Sequence, residues 1–133
     1  MRELTALIAA AAVSAGIAHA ADATKSPSGL EVTITKEGNG AQPTARSVVT
    51  VNYRGTLTTG QEFDSSYKRG QPATFALNRV IPCWTECLQK MKVGSAARLV
   101  CPPGLAYGND GVPGVIPPGA TLIFEVELLE VKN

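Results

Sequence analysis

The sequence is nearly devoid of histidine, and this limits the chemistry open to it. Its 133 residues contain one histidine, His19, and three cysteines, and only 5% of the residues are aromatic. His19 lies in an N-terminal segment that we expect to be removed, so no imidazole remains for Ser-His-Asp or Cys-His nucleophiles or for histidine-based metal sites. We therefore expect no metal and no cofactor, and any catalysis must work without imidazole.

Charged residues are also scarce, and the two signs are balanced. They make up 17% of the chain, the net charge is +1, and no run of like charges occurs. Binding to nucleic acid or to anionic lipid usually requires a basic patch, so we expect neither partner. Hydrophobic residues make up 44% of the chain, which together with its length fits one globular domain.

The first 20 residues resemble a signal peptide. Arg2 precedes an apolar stretch from Leu4 to Ile17, and Ala18-His19-Ala20 fits the small-x-small rule for signal peptidase. The stretch is shorter than the roughly 20 residues of a spanning helix, so we expect no stable membrane association. We predict export, to a bacterial periplasm in preference to full secretion. The predicted divisions are a signal peptide at 1–20, a flexible lead-in at 21–29 and a domain at 30–133.

Hydrophobic periodicity predicts strands around a single helix. Apolar residues alternate with polar ones from Leu30 to Thr35, from Val49 to Leu57 and from Leu122 to Leu128, which is typical of strands with one buried face. One apolar helical face follows Pro82, with the spacing i, i+3, i+4, i+7 at Trp84, Cys87, Leu88 and Met91. The pattern predicts an α+β domain built on an antiparallel sheet.

The segment 104–120 is too rich in glycine and proline for regular structure, yet it carries apolar side chains. These are Tyr107, Val112, Val115 and Ile116. A long loop with apolar residues between turn formers is more often functional than a plain connection.

Five motifs, in order along the chain, resemble the FK506-binding protein (FKBP) family of peptidyl-prolyl cis/trans isomerases. The resemblance covers Leu30 to Val131, nearly the whole predicted domain. Each motif alone is weak, but the set is specific. The motifs are Val49-Thr50-Val51-Asn52-Tyr53-Arg54-Gly55-Thr56-Leu57, Phe63-Asp64-Ser65-Ser66, Val80-Ile81-Pro82-Cys83-Trp84, Ala106-Tyr107-Gly108, and Ile116-Pro117-Pro118-Gly119-Ala120-Thr121-Leu122-Ile123-Phe124.

The resemblance implies a strongly twisted sheet wrapped around the helix, with an apolar cavity floored by Trp84. In the family the backbone N–H at Ile81 and the hydroxyl at Tyr107 hold ligand carbonyls, and we expect Asp64 to orient groups rather than transfer protons. The implied catalytic residues are Tyr53, Phe63, Asp64, Ile81, Trp84, Tyr107 and Phe124. The implied substrate-binding residues are Phe75, Val80, Val112, Val115 and Ile116.

Each of these positions also has a plainer interpretation. Aromatic and aliphatic residues on strands are usually core, and periodicity alone assigns Tyr53 and Phe124 to the core. Trp84 on an apolar helix face has the same default. Val112 is equally well explained as an isolated apolar residue in a loop. The resemblance, and not the pattern, moves these residues into a pocket.

The resemblance implies an isomerase that accelerates X–Pro rotation in exported proteins, preferring an apolar residue before proline. The alternative is a chaperone or adaptor that binds proline in the same groove without turnover. A redox protein is disfavoured because no C-x-x-C motif is present. The implied partners are proline-containing polypeptides and macrolides of the FK506 and rapamycin type, and we expect a monomer.

The three cysteines leave several pairings open. Cys83 lies at the predicted helix start, and Cys101 ends a strand expected to pack nearby. An exported protein can keep a disulfide, and Cys83–Cys101 is our hypothesis. Three buried free thiols are the main alternative, and a Cys83–Cys87 bridge within one helix is disfavoured by strain.

Overall fold

A computed structural model describes residues 23–133 as one antiparallel sheet with short helices, which confirms the predicted α+β class. The predicted signal peptide at 1–20 and the first two residues of the lead-in lie outside the described residues. The strands are β1 Ala23–Lys25, β2 Glu31–Lys36, β3 Val48–Leu57, β4 Glu62–Ser65, β5 Ala73–Ala76, β6 Ala96–Cys101 and β7 Leu122–Lys132. The helices are α1 Ser66–Arg69 and α2 Pro82–Leu88, with 3-10 turns at Leu77–Arg79 and Pro103–Leu105.

Strand β3 organises the sheet. The strand order is β1-β2-β6-β7-β3-β4. Strands β4 and β5 share one edge of β3: β5 pairs with its first half and β4 with its second half. Strands β3 and β7 run antiparallel over their whole length, with Tyr53 opposite Val126 and Gly55 opposite Phe124. This register places aromatic residues of both strands on the same face of the sheet.

The core forms on that face. Val49 and Val51 of β3 are fully buried, as are Leu122 and Leu128 of β7. Intervening positions such as Glu125 are exposed, as the period of two requires. The alternation predicted from the sequence for these two strands is therefore confirmed.

Helix α2 packs its apolar face against the sheet but is shorter than predicted. Pro82 occupies its first turn, and Trp84 and Leu88 are buried. The apolar spacing predicts a helix that reaches Met91, but the helix ends at Leu88. The next amides bond to carbonyls three residues back, from Lys90 to Cys87 at 2.9 Å and from Met91 to Leu88 at 3.1 Å, which tightens and closes the last turn.

Two segments predicted as irregular contain regular structure. Residues 23–25 of the predicted flexible lead-in form β1, because the outer edge of β2 offers unpaired backbone groups to them. The polar, Gly- and Pro-bearing segment 67–72, for which the sequence predicts no regular structure, contains the end of α1. The Ser65 hydroxyl accepts a bond from the Lys68 amide, and Gly70 closes the turn at φ 75°.

The structure pairs Cys83 with Cys101 in a disulfide, with a Cα–Cα distance of 5.8 Å. The bridge joins the first turn of α2 to the end of β6, and all three cysteines are fully buried. Burial raises the pKa of the free Cys87 thiol to about 12. Among residues 23–133, no helix has the length and hydropathy needed to cross a membrane.

The bridge predicts a stability loss on reduction. A disulfide that closes a loop of this size stabilises a protein by about 3 kcal/mol in the chain-entropy account. Denaturant unfolding with and without dithiothreitol should show a loss of that order in the wild type and in C87A, and none in C83A/C101A. Alkylation of the denatured, unreduced wild type should modify one thiol by mass; modification of three would rule out the bridge.

Candidate active site

A cavity of about 400 Å³ opens between α2, the sheet and the loop after β6. It draws residues from strands β3, β4, β5 and β7, so no local segment could form it alone. Its walls are largely aromatic and aliphatic. They consist of Tyr53, Phe63, Asp64, Phe75, Arg79, Val80, Ile81, Trp84, Tyr107 and Phe124.

Trp84 forms the floor. Its indole meets Tyr53, Phe75 and Phe124 edge-to-face, with ring centroids 5.0, 5.4 and 5.3 Å away. This geometry is favoured by the ring quadrupoles and adds to the gain from burial alone. The buried indole Nε1–H has no hydrogen-bond partner in the described part of the chain, so ring packing fixes the indole.

Glycine is required at position 55 by close ring packing. A β-carbon placed on Gly55 would lie 2.6 Å from a ring carbon of Phe63 and 2.9 Å from one of Phe124. These two rings pack edge-to-face with centroids 5.6 Å apart. The missing side chain on β3 is what lets both rings sink to the cavity wall.

Polar groups cluster on one side of the cavity. The Tyr53 hydroxyl donates to Asp64 Oδ2. Arg69 Nη1 donates to Asp64 Oδ1 at 2.7 Å, and Arg69 Nη2 donates to the Tyr53 hydroxyl at 3.0 Å. The Ser65 amide also donates to Asp64 Oδ1 at 2.9 Å. This Tyr53–Asp64–Arg69 cluster fixes the orientation of the tyrosine ring.

The cluster keeps the carboxylate charged. Partial burial by itself would raise the pKa of Asp64, but hydrogen bonds from Tyr53, Arg69 and the Ser65 amide outweigh it, so the pKa of Asp64 lies below its ordinary value. Burial, followed by the hydrogen bond to Asp64, raises the pKa of Tyr53. At neutral pH Asp64 is an acceptor with no proton to give.

A free backbone donor lies at the start of α2. No backbone acceptor among residues 23–133 takes the Ile81 N–H. The preceding 3-10 turn is anchored by the Leu77 amide, which donates to the Ser47 carbonyl at 2.9 Å, and by the Thr85 hydroxyl, which donates to the Leu77 carbonyl at 2.6 Å. These bonds hold the Ile81 amide in place on the cavity wall.

The structure brings nine of the twelve predicted site residues together on the wall. The other three, all from the 104–120 loop, are not on it. Val112 and Ile116 bond to each other through backbone groups at 2.8 Å, and this pairing turns Ile116 into the core, where it is 5% exposed. Val115, at the tip of that turn, is 46% exposed. Val112, Val115 and Ile116 therefore do not line the cavity in this structure, and their contact with substrate stays a prediction.

Two arginines near the site were missed by sequence reasoning. Arg79 lines the cavity, and Arg69 bonds to Asp64. Arg79 directly precedes the Val80-Ile81 motif, so its position along the chain was the available signal. Arg69, which donates to Asp64, ends helix α1. The polar sequence of that segment did not predict a helix. Within residues 23–133, no group of three acidic, cysteine or histidine side chains is arranged to hold a metal.

An aromatic cavity that opens to the surface and carries one hydrogen-bonded acid and one free amide suits a small apolar ring that bears carbonyl groups. The sequence model of the family described as FKBP-type peptidyl-prolyl cis-trans isomerase matches residues 39–129. The chain belongs to this family.

Relatives of different lengths share the domain. The chain is 53% identical over 107 residues to the FKBP-type peptidyl-prolyl cis-trans isomerase FkpA of Escherichia coli K12, covering 80% of this chain and 39% of that protein. It is 54% identical over 106 residues to FK506-binding protein 1 of Dictyostelium discoideum, covering 78% of this chain and 99% of that one. The chain thus spans about two fifths of FkpA and nearly all of the Dictyostelium protein.

A solved structure shares the fold. The crystal structure of FkpA from Escherichia coli superposes with a TM-score of 0.80 at 51% identity, covering 83% of this chain and 51% of that one. At this identity the likeness extends beyond the fold to the family.

The lowered pKa of Asp64 predicts an acid-dependent contribution to stability. Because the folded pKa is below the unfolded value of about 3.9, the contribution is complete above that pH and is lost as pH falls through the folded pKa. It should stay below about 1 kcal/mol, because the ion pair is partly exposed. Urea unfolding from about pH 6 to about pH 2 should show a shallower acid loss in D64N than in wild type. D110N, at an exposed loop position, should keep the wild-type slope, and equal slopes in all three proteins would contradict the prediction.

The contacts at Gly55 predict that one added methyl group disturbs the cavity. G55A should lower the free energy of unfolding by about 1–3 kcal/mol, because Phe63 and Phe124 must move, and it should weaken peptide binding in the same protein. G104A is the matched control, since nothing lies within 4 Å of a β-carbon at that position. Chemical denaturation and peptide titration of both variants test this; equal effects of the two substitutions would refute it.

Proposed function

We propose that this protein is a peptidyl-prolyl cis/trans isomerase that turns over X–Pro bonds in the Trp84 cavity. The observation that carries the proposal is the aromatic cavity beside the free Ile81 amide. Membership of the isomerase family supports it.

The mechanism follows from amide resonance. Rotation of an X–Pro bond removes the double-bond character that gives it a barrier of about 18–20 kcal/mol. Water stabilises the planar, more dipolar amide through hydrogen bonds to its carbonyl. An apolar cavity withdraws this stabilisation and thereby favours the twisted state. No nucleophile, metal or general base takes part.

The residues predicted to be catalytic have distinct roles in this proposal. Trp84, Phe63 and Phe124 offer ring faces and edges to the pyrrolidine. The Ile81 amide and the Tyr107 hydroxyl donate to substrate carbonyls. Asp64, held by Tyr53 and Arg69, orients groups at the cavity edge and moves no proton.

The biological setting is also a proposal. The signal-peptide pattern of residues 1–20 supports export, and one relative of the chain, from Legionella longbeachae, is named outer membrane protein MIP. We infer a periplasmic, monomeric enzyme that acts on exported polypeptides with an apolar residue before proline. Macrolides of the FK506 and rapamycin type should compete for the same cavity, because they too present an apolar ring and carbonyls to it.

The direct test is cis/trans exchange in an Ala-Leu-Pro-Phe peptide, measured by NMR line shapes or protease-coupled absorbance. The protein should accelerate exchange, and FK506 or rapamycin should abolish the acceleration. W84L should lose about tenfold in kcat/KM, since a lost ring contact of about 1.4 kcal/mol has that effect.

The control for W84L is Y67L, which removes an exposed ring outside the cavity and should keep wild-type activity. Circular dichroism and unfolding curves must first show that W84L is folded. Peptide binding by the folded wild type without acceleration of exchange would reject the isomerase and leave a proline-binding chaperone or adaptor.

A further inference from the structure

Arg79 gives the cavity wall a positive charge that its own residues do not balance. Asp64 and Arg79 are the two wall residues with charged side chains at neutral pH. Arg69 neutralises Asp64 at 2.7 Å. The ion pairs within residues 23–133 involve other arginines and lysines and leave Arg79 unpaired. A ligand in the cavity therefore meets one uncompensated guanidinium.

The backbone of Arg79 is fixed at the cavity edge. Arg79 ends the 3-10 turn that begins at Leu77, and the same hydrogen bonds from Leu77 and Thr85 that hold Ile81 hold this turn. Only Val80 separates Arg79 from Ile81, whose backbone amide is free for a substrate carbonyl. The exposed Arg79 side chain and this amide therefore belong to the same stretch of cavity wall.

We propose that, among polar residues directly beside the proline, Arg79 makes the site prefer aspartate or glutamate to lysine or arginine. The inference rests on the proposed function, because it places the proline in the Trp84 cavity. A guanidinium presents paired N–H donors that match the two oxygens of a carboxylate. A lysine at the same substrate position meets a like charge, so the order of preference among polar residues is acidic, then neutral, then basic.

The size of the effect follows from exposure. Arg79 is exposed, and an exposed ion pair of 0.2–1 kcal/mol corresponds to about a 1.5- to 5-fold preference. Screening shortens the reach of exposed charges from about 10 Å at 0.1 M salt to about 3 Å at 1 M. The preference should therefore shrink with added salt, whereas ring packing in the cavity should not.

The experiment compares two peptide series, Ala-Xaa-Pro-Phe and Ala-Leu-Pro-Xaa, with glutamate, glutamine or lysine at Xaa. The readout is the ratio of kcat/KM for glutamate to that for lysine. In at least one series the wild-type ratio should exceed the R79Q ratio by about 1.5- to 5-fold at low salt. R79E should invert the preference, and about 1 M salt should bring the wild-type and R79Q ratios together.

R98E is the matched control. Arg98 lies on β6 between the buried Ala97 and Leu99 and is itself exposed, so it projects from the other face of the sheet. It lines a separate surface depression together with Glu125. R98E changes the net charge as R79E does and should retain the wild-type ratio.

Two outcomes overturn the proposal and are distinct from failure of the isomerase itself. Equal ratios in wild type, R79Q and R79E overturn it while acceleration of Ala-Leu-Pro-Phe upholds the isomerase. A shift in R98E as large as in R79E also overturns it, since net charge would then suffice. If no peptide is accelerated, the proposed isomerase activity is rejected. Titration of the same peptides, followed by the fluorescence of Trp84, the single tryptophan, then measures whether affinity falls from glutamate to glutamine to lysine.

Discussion

The packing of one indole between a helix and a sheet determines where everything else in this site can lie. Trp84 projects from α2 and meets Tyr53 of β3, Phe75 of β5 and Phe124 of β7 edge-to-face. Strands β5 and β7 each pair directly with β3 through backbone hydrogen bonds. The same aromatic rings line the cavity and pack in the core. A substitution that changes the shape of the site therefore also changes the stability of the fold.

Tyr53 links this apolar packing to the polar side of the cavity. Its ring touches Trp84, and its hydroxyl joins Asp64 and Arg69. Arg69 also stacks over the same ring, with its guanidinium carbon 5.7 Å from the centroid. A change in the charge of Asp64 or in the rotamer of Trp84 would therefore alter the position of Tyr53, which contacts both.

The sequence predicted well those features that repeat along the chain or belong to family motifs. Alternation predicted the buried faces of β3 and β7, and the family resemblance predicted nine wall residues. Periodicity could not show that α2 ends at Leu88, because Met91 remains buried after the backbone has left the helix. The backbone pairing that turns Ile116 inward is a property of one turn, and the motif carries no signal for it. Arg79 has a charged side chain of the kind that usually means plain surface, so only the assembled cavity shows its position.

The burial of Cys87 protects the disulfide from exchange with the third thiol of the chain. Three cysteines allow three different single bridges while the chain is still unfolded, and exchange among them requires a thiolate. Burial raises the pKa of the Cys87 thiol to about 12, so the thiol stays protonated at neutral pH, and the core shields its sulfur from outside reagents. Folding thereby removes the attacking thiolate within the chain, and the Cys83–Cys101 pairing is protected from reshuffling by Cys87.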